Sequence, residues 1–110
     1  MDITTIAHKI EEKIGLLEYG RSELQGKAKA MAEAMGEYDR KIAIRILALK
    51  ESGSYPATLI EKIAKGDCSN ELVAMELAKA EYKLSSQKLQ CVQAEMNGLQ
   101  SINRHLESTG

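Results

Sequence analysis

Two histidines, two cysteines and two arginines at helix-periodic positions are where this 110-residue chain could do chemistry. His8 and His105 lie near opposite ends of the chain. An antiparallel pair of helices would bring those ends closer, with an offset of roughly 10 Å along the axis. A metal needs three or four converging ligands, and no second pair accompanies the histidines, so both read as surface residues. Cys68 falls near a helix N-terminus, where a thiol pKa can drop. No base or resolving thiol is near it in sequence, and it reads as a small-residue filler. Cys68 and Cys91 match neither a CxxC nor a zinc spacing. They are expected to be reduced thiols of a cytosolic protein; a disulfide would need a proximity that spacing does not supply. No Glu-x-x-His pair of the di-iron type occurs. The expectation is therefore no enzyme, no metal and no cofactor.

Composition narrows the class further. Aromatics are 4%, with four Tyr and neither Trp nor Phe. A core must then come from Leu, Ile, Met and Ala, the residues of packed helices. Lys and Arg number 15 against 16 Asp and Glu, for a net charge of −1. General nucleic-acid binding needs a clustered positive surface, so that role is expected only through a local basic face. Lys62, Lys65, Lys79, Lys83 and Lys88 are interspersed with Glu61, Asp67, Glu71, Glu76 and Glu81, which reads as a solvated mixed face. The N-terminus has no apolar signal-like stretch and no segment approaches a membrane span, so the expected location is cytoplasmic, with no membrane partner.

The elements that would position these residues are long helices. Ile3, Ile10, Leu17, Leu24, Met31, Tyr38 and Arg45 are each seven apart; so are Ala7, Ile14, Arg21, Ala28, Met35, Ile42 and Leu49. Interleaved at steps of three and four, they make a heptad seam over residues 3–50. Gly15, Gly20, Gly26 and Gly36 weaken that run. Gly20 followed by Ser22 and Gln25 suggests a helix end and a capping box. The uninterrupted register favours one continuous helix, with a break near Gly20 and a three-helix monomer as the alternative. Gly53 suits the position just past a helix end, and Pro56 suits the first position of a short helix over 56–65. Leu59, Ile60 and Ile63 form that helix's apolar side and, with Tyr55, cap a core. Asp67, Ser69 and Asn70 are candidate caps for a second long helix over 70–107. In that helix Met75, Tyr82, Leu89, Met96 and Asn103 interleave with Ala78, Ser85, Val92, Leu99 and Leu106. A weaker stripe of Leu77, Leu84, Cys91 and Gly98, with Ala80, Ala94 and Ile102 near it, lies roughly 100–130° around it.

The fold class that follows is all-α: one domain, an antiparallel coiled-coil-like hairpin with a short helix at the turn. Pairing outward from the turn, with residue numbers summing to roughly 121, leaves the first dozen residues overhanging. Ile3, Ile6 and Ile10 would then be exposed. With Leu77, Leu84 and Cys91, they are the candidate self-association residues of a four-helix homodimer. Arg21, Arg45 and Asn103 are the polar residues of the seam, expected to snorkel or pair at its edge and fix register. Tyr55, Thr58 and Lys62 are candidate contacts for another protein at the tip.

The segment Y-P-A-T-L-I-E-K-I-A-K-G-D is preceded by A-L-K-E-S-G and followed by A-E-Y-K-L and A-E-M-N-G-L-Q-S-I-N-R-H-L. Over about residues 38–106 it resembles small all-helical proteins of bacterial viruses and prophages, a group without an established activity. The resemblance implies a virus-encoded intracellular protein with a binding role. The function expected is non-enzymatic protein–protein binding; the alternative is a nucleic-acid accessory protein using a basic face of a dimer.

Overall fold

The computed structural model describes residues 2–109. They form three helices, α1 Ile3–Ser52, α2 Ala57–Asp67 and α3 Ser69–Thr109, and no strand is present among them. Among the described residues no helix is long and apolar enough to cross a membrane. α1 runs unbroken through Gly15, Gly20, Gly26 and Gly36. The expected continuity therefore holds, and the Ser22–Gln25 pair caps nothing.

Each helix end has a local cause. Asp2 caps α1: the Thr5 N–H donates to its Oδ1 at 2.7 Å and the Ile6 N–H to its carbonyl at 3.1 Å. Such a carboxylate satisfies helix-start donors that otherwise lack partners. These hydrogen bonds from Thr5 hold the Asp2 carboxyl below its ordinary pKa. At the other end, Ser52 Oγ donates to the Leu49 carbonyl at 2.7 Å, and the Gly53 N–H donates to that of Lys50 at 3.3 Å. Gly53 has φ +65°, a left-handed conformation that glycine adopts without penalty. Pro56, with φ −61° and ψ 144°, is the extended residue before α2 rather than its first member. α2 therefore starts one residue later than its sequence signals suggest.

The main departure from expectation is at the α2–α3 joint. Cys68 has φ −102° and ψ 23°. Its N–H still donates to Ala64 O, and its carbonyl accepts from the Leu72 N–H, both at 3.0 Å. Hydrogen bonds thus reach Cys68 from both sides, and the interruption between α2 and α3 is a single residue. Among the described residues no side chain of Asp67, Ser69 or Asn70 accepts a hydrogen bond from the start of α3, and Asp67 accepts from Arg45 instead. α2 is the first stretch of the returning arm, and the chain reverses only between Ser52 and Ala57.

The chain divides into two packed units. The turn unit comprises Lys27–Tyr82. Its core is Leu49, Ile60 and Ala64, with Ile46 and Ile63 packed against them. Cys68 and Met75 are buried as well. Within this unit Lys27 pairs with Glu81 at 3.1 Å, two residues whose numbers sum to 108. The terminal unit comprises the chain up to Gly26 and from Lys83 onward. It buries Ile6, Leu17 and Ser85, and half-buries Ile10, Leu24, Leu89, Val92, Met96 and Leu99. Within it Lys13 pairs with Glu95, numbers that again sum to 108. A sum of 108, not roughly 121, corrects the expected register. Its cause is the tight reversal, which starts the return at Ala57. Consequently Ile6 is fully buried and Ile10 half-buried, so no dozen-residue overhang exists.

Candidate interaction surfaces

The inward faces were read correctly for one long helix and half correctly for the other. In α3 all ten seam positions, including Asn103, are buried or half-buried. In α1 Ile10, Leu17, Leu24, Met31 and Tyr38 face inward as expected, whereas Ile3 is exposed. Of their expected partners Ala28 and Ile42 are half-buried and Leu49 is buried, whereas Ala7, Ile14, Arg21 and Met35 are exposed. The row inward beside them is one residue earlier: Ile6, Lys13, Gly20, Lys27, Ala34 and Lys41. Hydrophobic scoring rejects that row because of its three lysines. Lysine can lie there because its methylene stem covers apolar surface while the ammonium reaches outward. Lys13 and Lys27 do so, ending on Glu95 and Glu81.

Gly20 belongs to this row for a different reason. A Cβ on it would stand 2.8 Å from Leu89 Cδ1, so the missing side chain gives Leu89 its seat. Next to it the buried Ser85 hydroxyl donates to Glu23 Oε1 at 3.4 Å, and no buried side-chain polar atom is left without a partner among the described residues.

The polar seam residues are redistributed. Arg21 is exposed and off the seam, because the inward row is shifted by one position. Arg45 is also exposed, its Nε donating to Asp67 Oδ2 at 2.6 Å. Asp67 is thus an ion-pair partner, not a cap. Asn103 is half-buried, and its amide donates to Glu107 Oε1 at 3.2 Å.

Of the candidate self-association residues, Ile6 is withdrawn, since its own chain buries it, and Ile10 is largely covered. Ile3, Leu77, Leu84 and Cys91 are exposed, Leu77 at 60% and Leu84 at 61%. The stripe on α3 is fuller than Leu77, Leu84, Cys91 and Gly98 alone suggest. Val73, Leu77, Ala80, Leu84, Gln87, Cys91, Ala94, Gly98 and Ser101 alternate at steps of four and three, and every one is exposed. None is charged, in a chain where 28% of residues are. At this spacing the row is a second heptad seam, on a side of α3 turned away from the first. Hydrophobicity marks Leu77, Leu84, Cys91 and Gly98 with Ala80 and Ala94 near them, but not Val73, Gln87 and Ser101 as members of the same row; the missing charge is the signal that completes it.

At the tip, Tyr55, Thr58 and Lys62 are exposed. Leu59 is exposed too, so Ile60 and Ile63 alone of the expected cap residues join the core. The terminal unit also has an open groove lined by Lys9, Lys13, Glu95, Gly98, Leu99 and Ile102. His8 and His105 are exposed, and among the described residues no group of three His, Cys, Asp or Glu side chains could hold a metal ion. No family model, curated protein or solved structure matches the chain.

Proposed function

We propose that this is a non-enzymatic helical interaction protein that works by protein–protein binding, as a homodimer in the cytoplasm of a host cell, and that it is encoded by a bacterial virus or prophage. One observation carries the self-association. A folded monomer of this mass exposes about 6,000 Å², whereas this chain exposes 7758 Å². The excess, about 1,700 Å², matches what one partner contributes to a large obligate homodimer interface. Few side chains are buried among the described residues: seven apolar residues and Ser85. Such a core is thin support for a single chain, and association is a common remedy. The uncharged row on α3 supplies a surface for it, and the exposed tip residues Tyr55, Thr58 and Lys62 remain free for a different protein.

The test is thermal unfolding over a hundredfold range of protein concentration. A self-associating chain melts at higher temperature as concentration rises. A melting temperature independent of concentration, with no binding of a hydrophobic dye at the folded chain, contradicts the reading.

A further inference from the structure

We infer that two copies of this chain pair through the outer row of α3, and that they do so antiparallel, about a twofold axis near residues 85–86. This rests on the proposed self-association and adds its face and its orientation. The face is chosen by composition: nine consecutive seam positions, all exposed and none charged. Complete burial of such a row against another strips water from no ion, which is the main obstacle to burying helix surface. A second copy fits because the row is complementary to itself. Its first part carries the large residues Val73, Leu77 and Leu84; its later part carries the small Cys91, Ala94, Gly98 and Ser101.

Orientation follows from that asymmetry. In a parallel pair each layer meets its own kind, so Leu77 faces Leu77 while Gly98 faces Gly98 across a gap. Voids of that kind forfeit packing contacts. Reversing one helix seats Val73 over Gly98, Leu77 over Ala94, Ala80 over Cys91 and Leu84 over Gln87. The two outer layers then join a large residue to a small one, the two inner layers avoid stacking Leu84 on Leu84, and Ser101 lies beyond the paired stretch. The same patch serves both copies, as a closed twofold interface requires.

Cysteine cross-linking tests orientation separately from association. Two variants are made in a Cys91→Ala background, Gln87→Cys and Ser101→Cys, and oxidised by a copper–phenanthroline catalyst under air. In the antiparallel pair the position-87 thiols are about three residues apart along the axis, roughly 5 Å, and the position-101 thiols about 31 residues, roughly 45 Å. The expected result is an efficient disulfide-linked dimer for Gln87→Cys and none for Ser101→Cys. Cross-linking at both positions means a parallel pair and overturns the orientation. A dimer in solution that cross-links at neither uses another face and overturns the inference while leaving self-association standing. A monomer overturns both.

Discussion

Gly20 is the residue whose identity follows most directly from packing. It lies against Leu89, and an added methyl would come within 2.8 Å of that side chain. Gly26, by contrast, meets nothing within 4 Å. Replacing glycine by alanine inside a helix gains about 0.5–1 kcal/mol in chain entropy and propensity. Gly26→Ala is expected to gain that amount in urea unfolding. Gly20→Ala must displace Leu89 from its seat, and overpacking of this kind costs about 1 kcal/mol or more. It is therefore expected to be less stable than Gly26→Ala by about that much; equal gains would contradict the close contact. Asp2 has a pH signature. Its carboxyl titrates below the ordinary 3.8 because the folded helix start donates hydrogen bonds to the ionised form. A lowered folded pKa stabilises above the unfolded value, and the contribution is lost as pH falls through the folded one. Asp2→Ala should fray the first turn at neutral pH, read from the Cα chemical shifts of Thr4 and Thr5. The difference from the unmodified chain should vanish at a pH well below 3.8. A difference that persists there would contradict the cap.

At the scale of elements, the turn unit is held by a small cluster around Leu49, Ile60 and Ala64. Ile60→Ala removes buried methyl and methylene groups, and is expected to cost about 2–4 kcal/mol in chemical unfolding. A loss under about 1 kcal/mol would show that α2 does not anchor the reversal. Arg45 and Asp67 make the nearby exposed ion pair. Exposed pairs contribute about 0–1 kcal/mol, so Arg45→Leu should stay within that range and leave the association state unchanged. A changed state would return Arg45 to a register-setting role. These elements were unequally legible in the sequence. α3 read in full because its seam is filled by Met, Tyr, Leu and Val, whose burial and hydrophobicity agree. α1 read by half because Lys13, Gly20 and Lys27 pack by stem and by absence of a side chain, which no hydrophobic count rewards. Gly66, Asp67, Ser69 and Asn70 resemble a helix boundary, and α2 does end at Asp67 with α3 beginning at Ser69, but the interruption is one residue, so taking all of Ser52–Asn70 as the turn misplaces the reversal. That single misreading shifted the register and created the false overhang of Ile3, Ile6 and Ile10.

For the whole molecule, the proposed pairing draws on the 7758 Å² of exposed surface and on the uncharged row along α3. Most of that row is legible in the sequence, as Leu77, Leu84, Cys91 and Gly98 with Ala80 and Ala94 near them. The register correction removed the N-terminal isoleucines as the strongest clue to association and left α3 in their place. Leu77 and Leu84 project from α3 at 60% and 61% exposure, so a charge at either position costs the separate chain little. Buried at a dimer interface, the same charge would be unpaired and strongly unfavourable. Sedimentation equilibrium of the unmodified chain beside Leu77→Glu and Leu84→Glu, with helix content followed by circular dichroism, tests this most directly. The account predicts twice the 12.1 kDa chain mass for the unmodified protein and a fully helical single-chain mass for each variant. An unmodified chain that sediments at 12.1 kDa at every concentration, or variants that keep the doubled mass, would contradict it.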